Sequence, residues 1–252
     1  MNSFRRRFVI ALGLVVLSRL LTSLAAASTA PRDINMALSL TWEVGAAQPL
    51  EDGVGWRVTT ETGYEVWLEE GYLVSYSVQL IECPHEHAWL GVEIVAKAGH
   101  GEENDPTLIK TSTLEALHLP VTTALGTVTG SEPSYCEAHY LVARADKSAV
   151  EGFSEPDMQA TSLYLRGKYR RIGEEQFTPF EARTNLANGT IGALQDGLNQ
   201  PMPLAQAGTV RVVRRLSRIF DRVDFAAMDS ATIAKSALWM LIADTHFVAT
   251  TP

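Results

Sequence analysis

The chain has 252 residues, of which 46% are hydrophobic, with 21 Lys and Arg against 29 Asp and Glu and a formal net charge of −8. This length supports one large domain or two small ones. The acidic balance disfavours nucleic acid and anionic membrane surfaces as the main partners.

Residues 1–27 have the three parts of an export signal. Arg5–Arg7 form a basic start, Phe8–Leu17 an apolar core, and Ala25–Ala27 a cleavage site of small residues. Removal of this leader leaves residues 28–252 as a single domain. Its four arginines leave with it, so 17 basic and 29 acidic residues remain, a formal charge of −12.

Two export routes stay open for this leader. Ser18 and Arg19 interrupt the apolar run, which is therefore shorter than the roughly 20 apolar residues of a membrane span. Arg5-Arg6-Arg7-Phe8-Val9 also fits a twin-arginine signal. An ordinary secretory leader and a twin-arginine leader both predict a periplasmic or secreted protein with no stable span after cleavage.

Period-two alternation of apolar residues predicts a series of strands along the rest of the chain. Glu69-Glu70-Gly71 is expected to end one of these strands and separate it from the next. The predicted strands are Met36–Trp42, Trp56–Thr60, Tyr64–Leu68, Tyr72–Ile81, Tyr135–Val142, Ser162–Tyr169, Phe177–Leu186, Thr190–Leu194 and Thr209–Leu216.

The tail has a helical pattern instead. Ser230 can cap a helix whose apolar residues recur at i, i+3 and i+4, and a shorter helix over Leu216–Arg222 precedes it. Regularly spaced strands without βα alternation predict a mainly β protein, an antiparallel β-sandwich of the immunoglobulin or transthyretin-like type with a C-terminal helical segment.

The two cysteines, Cys83 and Cys136, are expected to form a disulfide, because an exported chain with an even count folds in an oxidising compartment. Two free thiols or thiolate metal ligands are the alternative. A bridge closing a loop of about 53 residues would stabilise the fold by about 4 kcal/mol in the chain-entropy model.

His85-Glu86-His87 is the sharpest local motif. In an extended segment residues i and i+2 point to one side, so both imidazoles could bind one copper or zinc ion. His100 is the first candidate for a further ligand, and His139 becomes one if the disulfide brings its strand close; His118 is a weaker candidate. The alternative is a pair of exposed loop histidines without an ion.

Five arginines form a basic cluster in this acidic chain, and the helical spacing of Arg214, Arg218 and Arg222 predicts that these three share one exposed face. Such a face could bind an acidic partner or be neutralised by neighbouring carboxylates. The cluster consists of Arg211, Arg214, Arg215, Arg218 and Arg222.

No catalytic signature is present: the chain lacks a nucleophile elbow, a His-Glu-x-x-His motif, a phosphate-binding loop and a dinucleotide fingerprint. The expectation is therefore a non-enzymatic protein. Glu102-Glu103-Asn104-Asp105 lacks the spaced oxygen ligands of a calcium loop and is expected to be a solvated acidic loop.

A family resemblance rests on the segments Gly63–Leu68, Tyr72–Val74, Val78–Cys83, Leu125-Gly126, Tyr135-Cys136, Ala145-Asp146, Leu163–Tyr169 and Val223–Phe225. These segments resemble a group of uncharacterised exported bacterial β-sandwich proteins. More distantly, the early strand, the tyrosine-rich segment Tyr72–Leu80 and a later strand are similar to the methanobactin-associated copper-binding (MbnP-like) domain. That resemblance implies a periplasmic β-sandwich and copper as the class of metal.

Two hypotheses of different classes follow. The first is an exported, non-enzymatic protein that binds copper or a similar transition metal near His85 and His87. The second is an ion-free envelope module in which the loops or the Arg211–Arg222 face contact a protein or glycan partner.

Overall fold

The structure is a computed structural model, and it describes residues 33–84, 105–110, 112–131, 134–153 and 156–252. The leader assigned to residues 1–27 lies outside the described residues. The chain divides into two compact units, Met1–Asp33 and Ile34–Pro252. Apart from Asp33, the first residue of β1, every element below belongs to the second unit.

The described residues form 13 strands and one α-helix, which confirms the mainly β prediction and the C-terminal helix. A short 3-10 turn at Leu216–Arg218 replaces the predicted helix over Leu216–Arg222. The strands are β1 (Asp33–Glu43), β2 (Gln48–Pro49), β3 (Trp56–Thr59), β4 (Tyr64–Glu82), β5 (Leu108–Ile109), β6 (Thr113–Ala116), β7 (Thr123–Ser131), β8 (Tyr135–Val142), β9 (Leu163–Arg171), β10 (Thr178–Thr184), β11 (Asn188–Gln195), β12 (Gly208–Arg215) and β13 (His246–Thr250), and the helix is α1 (Ser230–Ala243).

The strands form one continuous sheet in the order β10-β9-β4-β8-β11-β13-β12-β1-β7, with β2, β3, β5 and β6 attached through β4. The sheet is mixed, not purely antiparallel as expected, because β1 pairs with β12 and β11 pairs with β13 in parallel. The second of these pairs involves β13, a strand that the sequence pattern did not reveal; it follows α1 and inserts between β11 and β12.

β4 is the centre of the sheet. It runs without interruption for 19 residues and pairs with β3, β5, β6, β8 and β9. The predicted break at Glu69-Glu70-Gly71 is wrong, since the chain stays extended there and only its register with β9 shifts, between Leu68 and Glu70. A β-bulge of this kind accommodates turn-forming residues without ending a strand.

One hydrophobic core connects the two ends of this sheet. Alternate residues of β1, from Ile34 to Leu40, are buried with Val210 and Val212 of β12 and with Val66 and Leu68 of β4. Burial of such side chains is the main force that holds the strands together.

Helix α1 covers this core with the apolar stripe expected from its spacing. Its N-cap is Asp229, not the predicted Ser230, because an Asp229 oxygen accepts a hydrogen bond from the Thr232 backbone at 2.8 Å. The buried stripe consists of Ile233, Ala234, Ala237, Leu238, Leu241 and Ile242.

Candidate functional site

The predicted metal ligands are divided between described and undescribed parts of the chain. His85, His87 and His100 lie outside the described residues. His139 is described: it lies on β8, half-buried, directly opposite Gln79 of β4. Directly paired residues of antiparallel strands point to the same face of a sheet, so His139 and Gln79 share one face.

The described residues that flank the stretch 85–104 lie close to Gln79. On the C-terminal side, Gln79 Nε2 donates a hydrogen bond to Asp105 Oδ2 at 2.7 Å, and Asp105 Oδ1 accepts from the backbone and hydroxyl of Thr107 at 2.8 and 2.6 Å. On the N-terminal side, β4 ends at Glu82, three residues beyond Gln79. Gln79 therefore links His139, its partner on β8, to Asp105, the first described residue after the stretch 85–104.

The disulfide between Cys83 and Cys136 is confirmed, with its Cα atoms 4.8 Å apart. The register of β4 and β8 shifts at this point, because Ile81 pairs with Glu137 but Glu82 pairs with Tyr135. Cys136 is thus the extra residue of a bulge, and its sulfur bonds to the residue that follows β4. The alternative of free thiols or thiolate ligands is wrong.

Within the described ranges, no three His, Cys, Asp or Glu side chains form a group that could hold a metal ion. His118 belongs to a different region, since its Nδ1 lies 3.1–3.2 Å from the backbone of Gly71 and its ring packs against Tyr72. Gly71 and Gln79 are about 26 Å apart along an extended strand. His118 is therefore not a neighbour of His139.

The basic cluster does not form one helical face. Arg211, Arg214 and Arg215 lie on β12, Arg218 on the 3-10 turn, and Arg222 in a left-handed backbone conformation with φ 64°. The expectation that Arg214 is exposed is wrong: its side chain is 0% exposed. It follows Val210 and Val212 on the inward face of β12, because alternate residues of a strand share a face.

Arg214 makes a paired contact with Glu115 of β6 inside the core. Its Nη1 and Nη2 atoms each donate to one Glu115 oxygen at 2.7 Å, and the Glu115 side chain is 3% exposed. Nη1 also lies 3.0 Å from the Tyr140 hydroxyl and 3.2 Å from Ser75 Oγ. A bidentate arginine–carboxylate pair of this kind needs such additional hydrogen bonds to offset the cost of dehydration.

Trp42 of β1 completes this buried network. Its indole Nε1 donates to Glu115 Oε2 at 3.0 Å, and the Arg214 guanidinium lies 4.2 Å from the centre of its ring. Burial disfavours the charged guanidinium, but Tyr140 and Glu115 outweigh it and raise the pKa of Arg214 above its ordinary value. The charged side chain joins β12 and β1 to β4, β6 and β8.

Arg215 and Arg218 are neutralised by neighbouring carboxylates, which was one of the two alternatives for the cluster. Arg215 Nε lies 2.9 Å from Glu43 Oε2, and Arg218 lies 2.9 Å from Asp221 and 3.1 Å from Asp244. Exposed pairs of this type contribute little to stability, but they cancel the positive charge that an acidic partner would need.

Comparison with known proteins adds one distant similarity. No protein-family model matches the chain, and no curated protein matches it either. Among solved structures, the chain is similar to MbnP from Methylosinus trichosporium, at 12% identity over 81% of this chain and 80% of that chain, with a TM-score of 0.26. No helix in the described part of the chain is long and apolar enough to cross a membrane.

Proposed function

We propose that this is an exported, non-enzymatic protein that binds copper or a similar transition metal through His85, His87 and His139, with His100 as a further candidate ligand. The observation that supports the proposal is the position of His139 opposite Gln79, whose side chain donates a hydrogen bond to Asp105, the residue that follows 85–104 in the chain. Imidazole nitrogens suit copper and zinc, and ligands from two separated stretches of chain can enclose one ion.

The disulfide supports the same proposal. It anchors the chain two residues before His85 and three residues before His139, so both sides of the proposed site start from a covalently fixed point. It also supports export, because disulfides persist in oxidising compartments such as the periplasm. We further infer a sandwich arrangement of the immunoglobulin or transthyretin-like type, supported by the contacts of Arg214 with strands from the other part of the sheet.

Metal titration of the chain from residue 28 tests the proposal. After treatment with EDTA, the protein is titrated with Cu(II) followed by EPR and with Cu(I) in competition with a chelator. We expect stoichiometric metal binding. His139→Ala should lower the metal affinity by roughly 10- to 100-fold or more, since loss of even an outer-shell partner of a ligand has an effect of that size. His85→Ala with His87→Ala should abolish it.

His246→Ala is the matched control, because His246 is 3.8 Å from Glu43 and lies on β13, a strand that pairs with neither β4 nor β8. It should leave copper binding unchanged. Absence of stoichiometric binding, or equal binding by the His85→Ala/His87→Ala and unsubstituted proteins, would refute a metal-binding function.

A second candidate is the ion-free envelope module that contacts a protein or glycan partner. The predicted helical face of arginines no longer supports it, since Arg214 is buried and Arg215 and Arg218 are paired with carboxylates. A cleft beside Trp67 on the outer face of β4 supports it instead. Capture of a partner by metal-free protein, lost on substitution in this cleft, would favour this function over metal binding.

A further inference from the structure

A cleft of about 450 Å³ lies where the turn between β2 and β3 meets the outer faces of β4 and β9. Its volume is within the usual range of roughly 300–1,000 Å³ for ligand sites. It is lined by Leu50, Glu51, Asp52, Val54, Trp67, Glu69 and Lys168.

The turn that forms one wall has a defined conformation. The Leu50 backbone N–H donates to the Gly55 carbonyl at 3.2 Å, and Asp52 Oδ1 accepts from the Val54 backbone at 3.0 Å. Gly55 has φ 91°, and a Cβ there would lie 2.3 Å from the Leu68 carbonyl oxygen, so the turn packs closely on β4. The turn is therefore held in position by its own hydrogen bonds and by its contact with β4.

Trp67 is held in place on the opposite wall. Its Nε1 donates to Glu65 Oε1 at 2.8 Å, and its ring packs against Phe177 with the ring centres 4.7 Å apart. Lys168 Nζ lies 4.3 Å from the centre of the Trp67 ring and 3.3 Å from Glu69 Oε1. A cation thus already occupies a position between an indole face and a carboxylate, an arrangement that attracts cations.

The charges of the cleft are unequal. The lining residues include three carboxylates, from Glu51, Asp52 and Glu69, and one ammonium group, from Lys168. Lys168 forms an ion pair with Glu69. Two carboxylates therefore remain without a compensating cation among the lining residues. The apolar side chains of Leu50 and Val54, the latter 41% exposed, can contact the aliphatic stem of a ligand.

We propose that this cleft binds an arginine or lysine side chain of a basic peptide segment on a partner protein. The cationic end lies over Trp67 and pairs with the carboxylates, its aliphatic stem contacts Leu50 and Val54, and residues flanking it contact the exposed turn. The proposal names the partner class of the second candidate function and rests on that function. Lys168 competes with the ligand for Trp67 and Glu69.

The probe is an N-acetylated tetra-arginine amide, titrated into the chain from residue 28 by calorimetry in the presence of EDTA. Glu51→Gln with Asp52→Asn should weaken binding roughly tenfold or more, because two charge pairs are lost. Lys168→Gln should strengthen binding, because a competing cation is removed. Binding should also fall steeply toward about 1 M salt, where the Debye length is about 3 Å.

The opposite signs expected for the two substitutions separate a direct role from loss of folding, which weakens binding in both cases. Glu137→Gln, an exposed carboxylate on β8 outside the cleft, is the matched control and should not change the affinity. Unchanged affinity in the Glu51→Gln/Asp52→Asn variant would overturn the proposal. So would tighter binding of spermidine, a free polyamine, or of a neutral oligosaccharide than of the peptide.

The test of peptide binding in the cleft is independent of the test of metal binding by the histidines. Because EDTA is present throughout, peptide binding does not depend on the histidines. His85→Ala/His87→Ala should bind the peptide as the unsubstituted protein does, and a dependence on these histidines would overturn the assignment to the cleft.

Discussion

Arg214 has an environment opposite to the one expected from its neighbours in the chain. It lies between exposed arginines in sequence, yet its guanidinium is buried against Glu115, Tyr140 and Trp42. A buried ion pair contributes less net stability than its short distances suggest, because both charges lose water. Removal of one partner is strongly destabilising, however, because it leaves the other charge buried and unpaired.

We expect Glu115→Gln to lower the free energy of unfolding by about 3–5 kcal/mol, because it leaves the Arg214 guanidinium without its counter-ion. Urea denaturation measures the change. The matched control is Glu43→Gln, which removes one of the two partners of the exposed Arg215 and should cost less than about 1 kcal/mol.

Replacement of both Arg214 and Glu115 separates two quantities: the cost of leaving one charge buried and unpaired, and the net contribution of the ion pair to stability. Arg214→Met combined with Glu115→Leu should recover much of the loss, since apolar side chains of similar volume can replace a buried pair. A loss in the double variant equal to the sum of the two single losses would contradict this account of the network.

The Tyr64 hydroxyl donates to Asp224 Oδ1 at 2.6 Å. This hydrogen bond, followed by one from the Ala226 backbone, lowers the pKa of Asp224 below its ordinary value. Because the folded-state pKa is depressed, the contribution of Asp224 to stability is present above its unfolded pKa of about 3.9 and is lost as the pH falls through the folded value.

We expect Tyr64→Phe to raise the pKa of Asp224 toward its ordinary value and so to reduce the loss of stability on acidification. NMR titration of the side-chain carboxyl carbons measures the pKa. Asp229 is an internal reference, because its pKa is lowered by hydrogen bonds to Thr232 and should not respond to the substitution. An unchanged Asp224 pKa would show that the tyrosine is not the cause.

At the scale of elements, β4 shows how a local pattern can predict the faces of a strand and still miss its length. Tyr64, Val66 and Leu68 are buried as their alternation predicts, and Val74, Val78 and Leu80 are buried further along. Glu69-Glu70-Gly71 reads as a turn because these residues are poor strand formers. Glu70 and Gly71 nevertheless pair with β9, and the strand on either side of them pairs with β3 up to Leu68 and with β6 from Tyr72, which overrides that local preference.

The disulfide joins β4 to β8 across 53 residues of chain. We expect its removal by Cys83→Ala with Cys136→Ala to lower the free energy of unfolding by about 4 kcal/mol, because the unfolded chain regains the freedom that a closed loop removes. Chemical denaturation with and without a reductant measures the change. The reductant should destabilise the unsubstituted protein and have no effect on the double variant.

At the scale of the whole molecule, β13 closes the sheet. It pairs with β12 on one side and with β11 on the other, and Phe247, Val248 and Ala249 are buried. Among the described strands, β13 alone pairs with both β11 and β12. Without it, the edge of β12 and the end of β11 at Leu194 and Gln195 would be open to pairing with other molecules.

We expect a chain that stops at Asp244 to aggregate, because the edges of β11 and β12 and the core beneath them become exposed. The soluble fraction and size-exclusion chromatography measure the effect. A chain that lacks only Thr251 and Pro252, which follow the strand, should remain soluble and folded. A folded, monomeric chain ending at Asp244 would show that β13 is dispensable.

Sequence alone determined the features that depend on local spacing or on simple counting. The alternation of β1 and β4, the apolar stripe of α1 and the pairing of Cys83 with Cys136 all follow from periodicity or from an even cysteine count. The histidines of the metal hypothesis were also visible in this way. The position of His139 opposite Gln79 depended on the register of β8 with β4.

Only the tertiary structure decided which strands pair and which polar residues meet in the core. Trp42, Ser75, Glu115, Tyr140 and Arg214 come from five strands, and Trp42 and Arg214 are 172 positions apart in the chain. The same holds for the cleft, where the turn at Leu50–Val54 meets Lys168. Pairing over such separations depends on the register and burial of whole strands, which the period of a single strand does not encode.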